Sequence, residues 1–242
     1  MIKEKLGHRI DGWIHSFFPF LFWRPINPDL LTVVGMVVAG GAGLAFAAGA
    51  FRLGGGLLIL GGFFDLVDGV VARHFEISTR FGAFLDSTLD RVVDILVMVG
   101  LLVFFARASM QNPLAIAETS IPAHWSDFAG WQPAATGDHA LLGLVLCTVI
   151  LVSSVVTSYA RARAEHVVER MPGGLLERGE RIGLLAGAAI VGVLWPILWL
   201  LAIGTVVTVG QRFLYAHREM TRLDRAESAA GVTRVSERMD EP

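Results

Sequence analysis

The sequence predicts an all-α integral membrane protein, a bundle of six transmembrane helices with an N-terminal amphipathic juxtamembrane helix. Three observations carry this. The 242 residues are 54% hydrophobic and their mean hydropathy is +0.59, too apolar for a soluble domain of this size. Apolar runs recur near the length of about 20 residues that a bilayer core requires. Threaded back and forth, those runs leave Lys and Arg almost wholly on one side.

Residues 1–24 read as a helix lying along the membrane surface, with Lys3, Lys5 and Arg9 near aromatic residues. The aromatic stretch Phe17 to Trp23 is short and no small-residue cleavage site follows it, so no cleavable signal peptide is expected. Residues 25–218 form the membrane domain. Its first span runs from about Asp29 to Ala50, the second from Leu53 to His74, the third from Arg80 to Ala106 and the fourth from Ala140 to Ala162. Arg181 to His217 is too long for one helix. A break at Trp195-Pro196 divides it into a fifth and a sixth span, because proline disfavours helix in the residue before it. Residues 219–242 are charged and poor in large apolar side chains, which predicts a loose, flexible tail.

The basic residues give the orientation. Lys3, Lys5, Arg9 and Arg24 precede the first span, and Arg73 and Arg80 separate the second from the third. Arg161, Arg163, Arg170, Arg178 and Arg181 surround the connection after the fourth, and Arg212, Arg218, Arg222 and Arg225 follow the last. Arg52 and Arg107 alone fall opposite. Both termini are therefore expected in the cytoplasm, which requires an even number of spans, in a cell inner (plasma) membrane. The longest outer loop, 108–139, carries Trp125 and Trp131, which suit an interface. The lone cysteine, Cys147, excludes a disulfide framework and reads as a small buried hydrophobe. The frequent glycines suit close helix packing.

The chemistry lies in the acids. Asp65 and Asp68 are three apart and Asp86 and Asp90 four apart, so each pair shares a helix face. A short connection around Ile77 to Arg80 makes the second and third spans antiparallel neighbours, and the pairs can face each other across a small gap. A carboxylate in hydrocarbon is unfavourable by about 2.5–3.5 kcal/mol on insertion scales. Four together repel one another and need a shared counter-charge. Hard divalent cations with oxygen ligands supply it, and Mg²⁺ typically combines a few carboxylates with substrate phosphate. Gly69 lets a ligand approach the backbone. Arg73, one turn on, can offer its guanidinium to a phosphate or pyrophosphate. Gly82 keeps the start of the third span narrow. Asp94 reads as support for the acids or as a partner of Arg91.

The run Asp65-x2-Asp68-Gly69-x2-Ala72-Arg73-x8-Gly82-x3-Asp86-x3-Asp90 resembles the signature of the CDP-alcohol phosphotransferase family, with eight fixed residues over 26 positions. Members bind a CDP-linked lipid, displace CMP and join the phosphatidyl group to an alcohol. The resemblance implies that Asp65, Asp68, Asp86 and Asp90 hold two divalent ions, Mg²⁺ or Mn²⁺, and that Asp90 is also the general base. It implies a CDP-lipid site of Asp29, Thr32, Gly69, Arg73, Thr79 and Gly82. Read alone, Asp29 is a helix N-cap. A homodimer follows from the same likeness, and no nucleic-acid partner is expected.

Three further segments suggest the acceptor: Ser158-Tyr159-Ala160-Arg161-Ala162-Arg163-Ala164-Glu165, Glu177-Arg178-Gly179-Glu180-Arg181, and Gln211-Arg212. A free amino alcohol would not need so many cations, so a phosphorylated alcohol is expected. The segments are similar to those of phosphatidylinositol phosphate and archaetidylinositol phosphate synthases. That likeness implies that Ser158, Arg161, Arg178 and Arg212 hold inositol phosphate. Position 216, where a second basic residue is expected, is alanine, with His217 and Arg218 as offset substitutes. Glycerol 3-phosphate is the alternative acceptor. Remoter is an ion transporter using the four acids as a path, but transport sites usually lie near the bilayer midplane at repeat interfaces, whereas these acids cluster toward one end and no repeat is visible.

Overall fold

The computed structural model describes residues 27–75, 77, 79–110, 137–168 and 171–239, with the helix path alone for 137–139, 227 and 229–239. The expected surface helix over 1–24 and nearly all of the 108–139 loop lie outside the described residues. Within them there are six helices and no strand: α1 (Pro28–Ala47), α2 (Phe51–His74), α3 (Arg80–Met110), α4 (Gly137–Ala164), α5 (Arg178–Val191) and α6 (Leu194–Met239). All but α5 are long and apolar enough to cross a bilayer, which makes this an integral membrane protein.

Packing closes the six into a ring. Each helix has two others as backbone neighbours, in the order α1, α2, α5, α6, α4, α3 and back to α1. Large apolar side chains from every helix fill the centre, among them Phe46, Leu58, Phe105, Leu185 and Leu198, with Cys147 buried beside them. The helices approach closely because glycines line their seams. A Cβ on Gly100 would stand 2.7 Å from the carbonyl carbon of Gly43, and one on Gly55 would stand 2.7 Å from the carbonyl oxygen of Ala186. The first contact joins α1 to α3 and the second joins α2 to α5, as small residues do in membrane bundles. The ring order leaves α2 and α3 with no Cα pair within 8 Å. Both pack on α1, and the space between their facing ends is a cleft.

Local chemistry fixes the helix ends. The cap of α1 is Asn27, not Asp29. Pro28 occupies the first helical position, which suits its fixed φ, and the Asn27 Oδ1 accepts from Asp29 N at 3.0 Å. Asp29 thus lies in the first turn. Thr79 caps α3, its hydroxyl accepting from Gly82 N at 2.8 Å. A capping box of Glu177 and Glu180 starts α5.

Two boundaries differ from expectation. The break before the last helix falls at Gly192, whose φ of 87° gives the left-handed C-cap that favours glycine. Pro196 sits in the first turn of α6, where a missing N–H breaks no helical bond. Beyond residue 218, where a loose tail was expected, α6 stays helical to Met239. Its Ala, Arg and Glu are good helix formers, and the pair Arg222–Glu219 spans one turn.

The α1–α3 seam has a measurable consequence. Gly100→Val should destabilise the protein by about 1–3 kcal/mol through overpacking, whereas Gly56→Ala, with nothing within 4 Å of the added carbon, should be neutral or slightly stabilising. Thermal unfolding midpoints in detergent compare the two.

Candidate active site

Three of the four motif acids converge. One carboxylate oxygen each from Asp65, Asp68 and Asp86 lie within 4.8 Å of one another. Helical spacing does the local work, and the α2–α3 cleft does the rest by setting the two helix faces opposite each other. Asp68 is the most enclosed, at 6% exposure. Thr32 of α1 donates from Oγ1 to Asp68 Oδ2 at 2.5 Å, with Pro28 O also 3.0 Å from that hydroxyl. Three carboxylate oxygens gathered this closely are the kind of donor set a hard divalent cation takes.

Asp90 stands apart from this trio. Its Oδ1 lies 2.9 Å from Arg178 NH1, and its Oδ2 lies 3.8 Å from Arg91. Arg178 also reaches Asp65 at 3.9 Å and Asp94 at 3.3 Å. Arg181, one turn further along α5, closes the network with a bond of 2.9 Å to Asp94. Asp94 therefore pairs with α5 rather than with Arg91, and by sharing Arg178 with Asp90 it fits the first of its two sequence readings, support for the acids. Arg181 went unnoticed as part of this site. The spacing of Arg178 and Arg181 on one helix face was visible, but the acid opposite lies 87 positions away from Arg181.

The residues expected to contact a CDP-lipid share one cavity. Asp29, Thr32, Gly69, Arg73, Thr79 and Gly82 line a groove with Asp68 and Asp86, enclosing about 760 Å³ including its open mouth. A Cβ at position 82 would fall 2.9 Å from Asp29 Oδ1 and 3.0 Å from Thr79 Oγ1, so a larger residue there would displace both side chains. A second, narrower cavity runs from Asp65, Asp90 and Arg178 inward between α1, α2, α3 and α5.

The expected acceptor residues are not gathered in one pocket. Ser158 and Arg161 line a groove between α3 and α4 that also holds Ser87 and Arg91. Arg161 is bonded there to Glu165 at 2.7 Å, and Ser158 donates to Ser154 O. Arg212, only 7% exposed, donates to Thr157 O at 2.8 Å and borders a fourth cavity beside Gly173, Gly174 and Arg218. Arg178 belongs to the acid network. Arg161 and Arg181 are nonetheless near enough to Arg212 to act on it electrostatically, as are Glu165 and Glu177, so three arginines and two glutamates share one neighbourhood of small net positive charge.

Known proteins resemble this chain over most of its length. The family model described as CDP-alcohol phosphatidyltransferase matches residues 25–213. The phosphatidylinositol phosphate synthase of Streptomyces avermitilis is 35% identical over 237 residues, covering 91% of this chain and 84% of that protein. The archaetidylinositol phosphate synthase of Methanothermobacter thermautotrophicus is 31% identical over 227 residues, covering 90% and 98%. Among solved structures, Mycobacterium tuberculosis phosphatidylinositol phosphate synthase with CDP-DAG bound superposes with a TM-score of 0.62 at 27% identity, covering 88% of this chain and 94% of that one. The same enzyme in complex with manganese and citrate gives 0.61 at 29% identity, covering 79% and 82%.

The α3–α5 network makes a stability prediction. Asp94→Asn leaves the buried Arg181 without its charge partner and should destabilise by about 3–5 kcal/mol. Glu165→Gln removes one member of an exposed pair and should change stability by less than about 1 kcal/mol. Chemical or thermal unfolding in lipid nanodiscs distinguishes the two.

Proposed function

The chain belongs to the CDP-alcohol phosphatidyltransferase family, and on that premise we propose that it moves the phosphatidyl group of CDP-diacylglycerol to inositol 1-phosphate, releasing CMP. The observation that carries the donor half is the convergence of Asp65, Asp68 and Asp86 at the mouth of the groove lined by Arg73, Thr32 and Gly69. The acceptor half is supported by relatives named as phosphatidylinositol phosphate and archaetidylinositol phosphate synthases and by Arg178, a guanidinium placed 2.9 Å from Asp90.

Asp65, Asp68 and Asp86 would hold divalent cations, with Asp90 completing a two-ion set of Mg²⁺ or Mn²⁺. When bound, such ions neutralise the diphosphate and the departing CMP. Arg73 borders the groove where it can meet the same diphosphate, and the backbone at Gly69 admits close approach. Arg178 binds the phosphate of the acceptor and so brings the acceptor hydroxyl to Asp90. The Asp90 carboxylate takes the hydroxyl proton, since an alcohol is a poor nucleophile until it is deprotonated. The freed oxygen attacks the β-phosphorus, the phosphorus that carries diacylglycerol. The bond from that phosphorus to the bridging oxygen breaks, and CMP leaves with the electron pair. Ser158, Arg161 and Arg212 extend the basic neighbourhood that attracts a phosphorylated polyol.

In the membrane, α5 serves as the sixth crossing beside the five longer helices. The basic residues support an orientation with both termini and the site on the cytoplasmic side. Family likeness supports a homodimer.

Purified protein should release CMP from CDP-diacylglycerol with inositol 1-phosphate and Mg²⁺, faster than with glycerol 3-phosphate or free inositol. Chelation should abolish release, and a higher rate with glycerol 3-phosphate would reassign the acceptor. Asp90→Asn should lose turnover by at least about 100-fold, the usual scale of general-base catalysis, while keeping CDP-lipid affinity in equilibrium binding. Arg178→Ala should raise the KM for the acceptor well above any change in that for the CDP-lipid, and equal changes would remove the acceptor role.

A further inference from the structure

Arg178 meets Asp90 and Asp94 of α3 from a helix that does not pack on α3, for α5 and α3 share no Cα pair within 8 Å. Contacts other than packing on α3 must therefore hold the start of α5, whose backbone neighbours are α2 and α6. The segment leading into it supplies the means. Leu175 N donates to Gln211 Oε1 at 3.0 Å, and Leu176 N donates to Thr208 Oγ1 at 3.1 Å. Thr208 is fully buried and donates its own proton to Gly204 O at 2.7 Å, which leaves its lone pairs to accept from Leu176. Gly174 lies so close to Thr208 that a side chain there would overlap the threonine methyl, and Leu176 stands equally close to Gly204. Glu177 follows with its own N–H on Glu180 at 2.6 Å, and Arg178 is the next residue.

We propose that Thr208 and Gln211 are positioning residues for Arg178. By clamping 174–176 to α6 they fix the first turn of α5, and so place the Arg178 guanidinium beside Asp90, where the phosphate of the acceptor is bound. This rests on the reading of Arg178 given above. It adds that α6, which supplies no acid to the site, tunes the enzyme for its acceptor alone.

The test is a mutant cycle in the full-length protein with CDP-diacylglycerol and inositol 1-phosphate. Thr208→Val and Gln211→Met each remove one accepting oxygen with little change in volume. Each should raise the acceptor KM by up to about tenfold, the scale of one lost hydrogen bond, with the CDP-lipid KM unchanged. Thr208→Ser and Gln211→Glu keep the oxygen and should restore the acceptor KM. In an Arg178→Ala background neither Thr208→Val nor Gln211→Met should add anything. The proposal is overturned if the two variants leave the acceptor KM unchanged while Arg178→Ala raises it, if both substrates are affected equally, or if the effects add fully to that of Arg178→Ala. An unchanged acceptor KM in Arg178→Ala would instead remove the underlying role of Arg178, and this inference with it. Gln211 is exposed, so its variants keep the test decisive if the buried threonine tolerates no change.

Discussion

The architecture depends on the neutralisation of carboxylates set among apolar helices. Five acids from α2 and α3 converge on one region, and each is met by a hydroxyl, by a guanidinium or by other acids that could share a cation. Asp68 takes a bond from Thr32, Asp90 and Asp94 take Arg178 and Arg181, and Asp65 and Asp86 complete the oxygen cluster. A buried ion pair is rarely a net source of stability. The arrangement is better understood as a constraint that every helix of the ring must respect.

The glycine seams are the means of respecting it. Where α1 passes α3 and where α2 passes α5, the missing side chains let backbones approach. The ring closes tightly at these points, and the gap between α2 and α3 is left as the place where polar groups can stand. At Gly82 the same device works at the rim of the groove, where the first turns of α1 and α3 meet. Packing and site are thus two outcomes of one distribution of small residues.

Much of this was legible in the sequence because it is local. Spacings of three and four place Asp65 with Asp68 and Asp86 with Asp90, and a short connection turns the helices back on each other. Helix existence followed from apolar runs, since lipid admits few other backbones. The misses were matters of competition or of distance. Asn27 took the cap from Asp29 because Pro28 starts the helix one residue earlier. Gly192 ended α5 before Pro196 had any break to make. The tail beyond residue 218 was read by its polarity alone, although its residues favour helix. The partners of Asp94 are brought together by the ring and leave no trace in nearby sequence, and the scatter of Ser158, Arg161 and Arg212 over two cavities could not be read from their motifs.

The brevity of α5 has a consequence for the surrounding lipid. Fourteen residues at about 1.5 Å each span roughly 21 Å, against a hydrocarbon thickness of about 30 Å. Such a mismatch is relieved by thinning the leaflet beside the short helix. With α5 as the crossing proposed above, such thinning would fall beside its first turn and Arg178 and would let water reach further into the membrane plane there. A donor that stays anchored by its acyl chains and an acceptor that never leaves the aqueous phase can then meet at one depth.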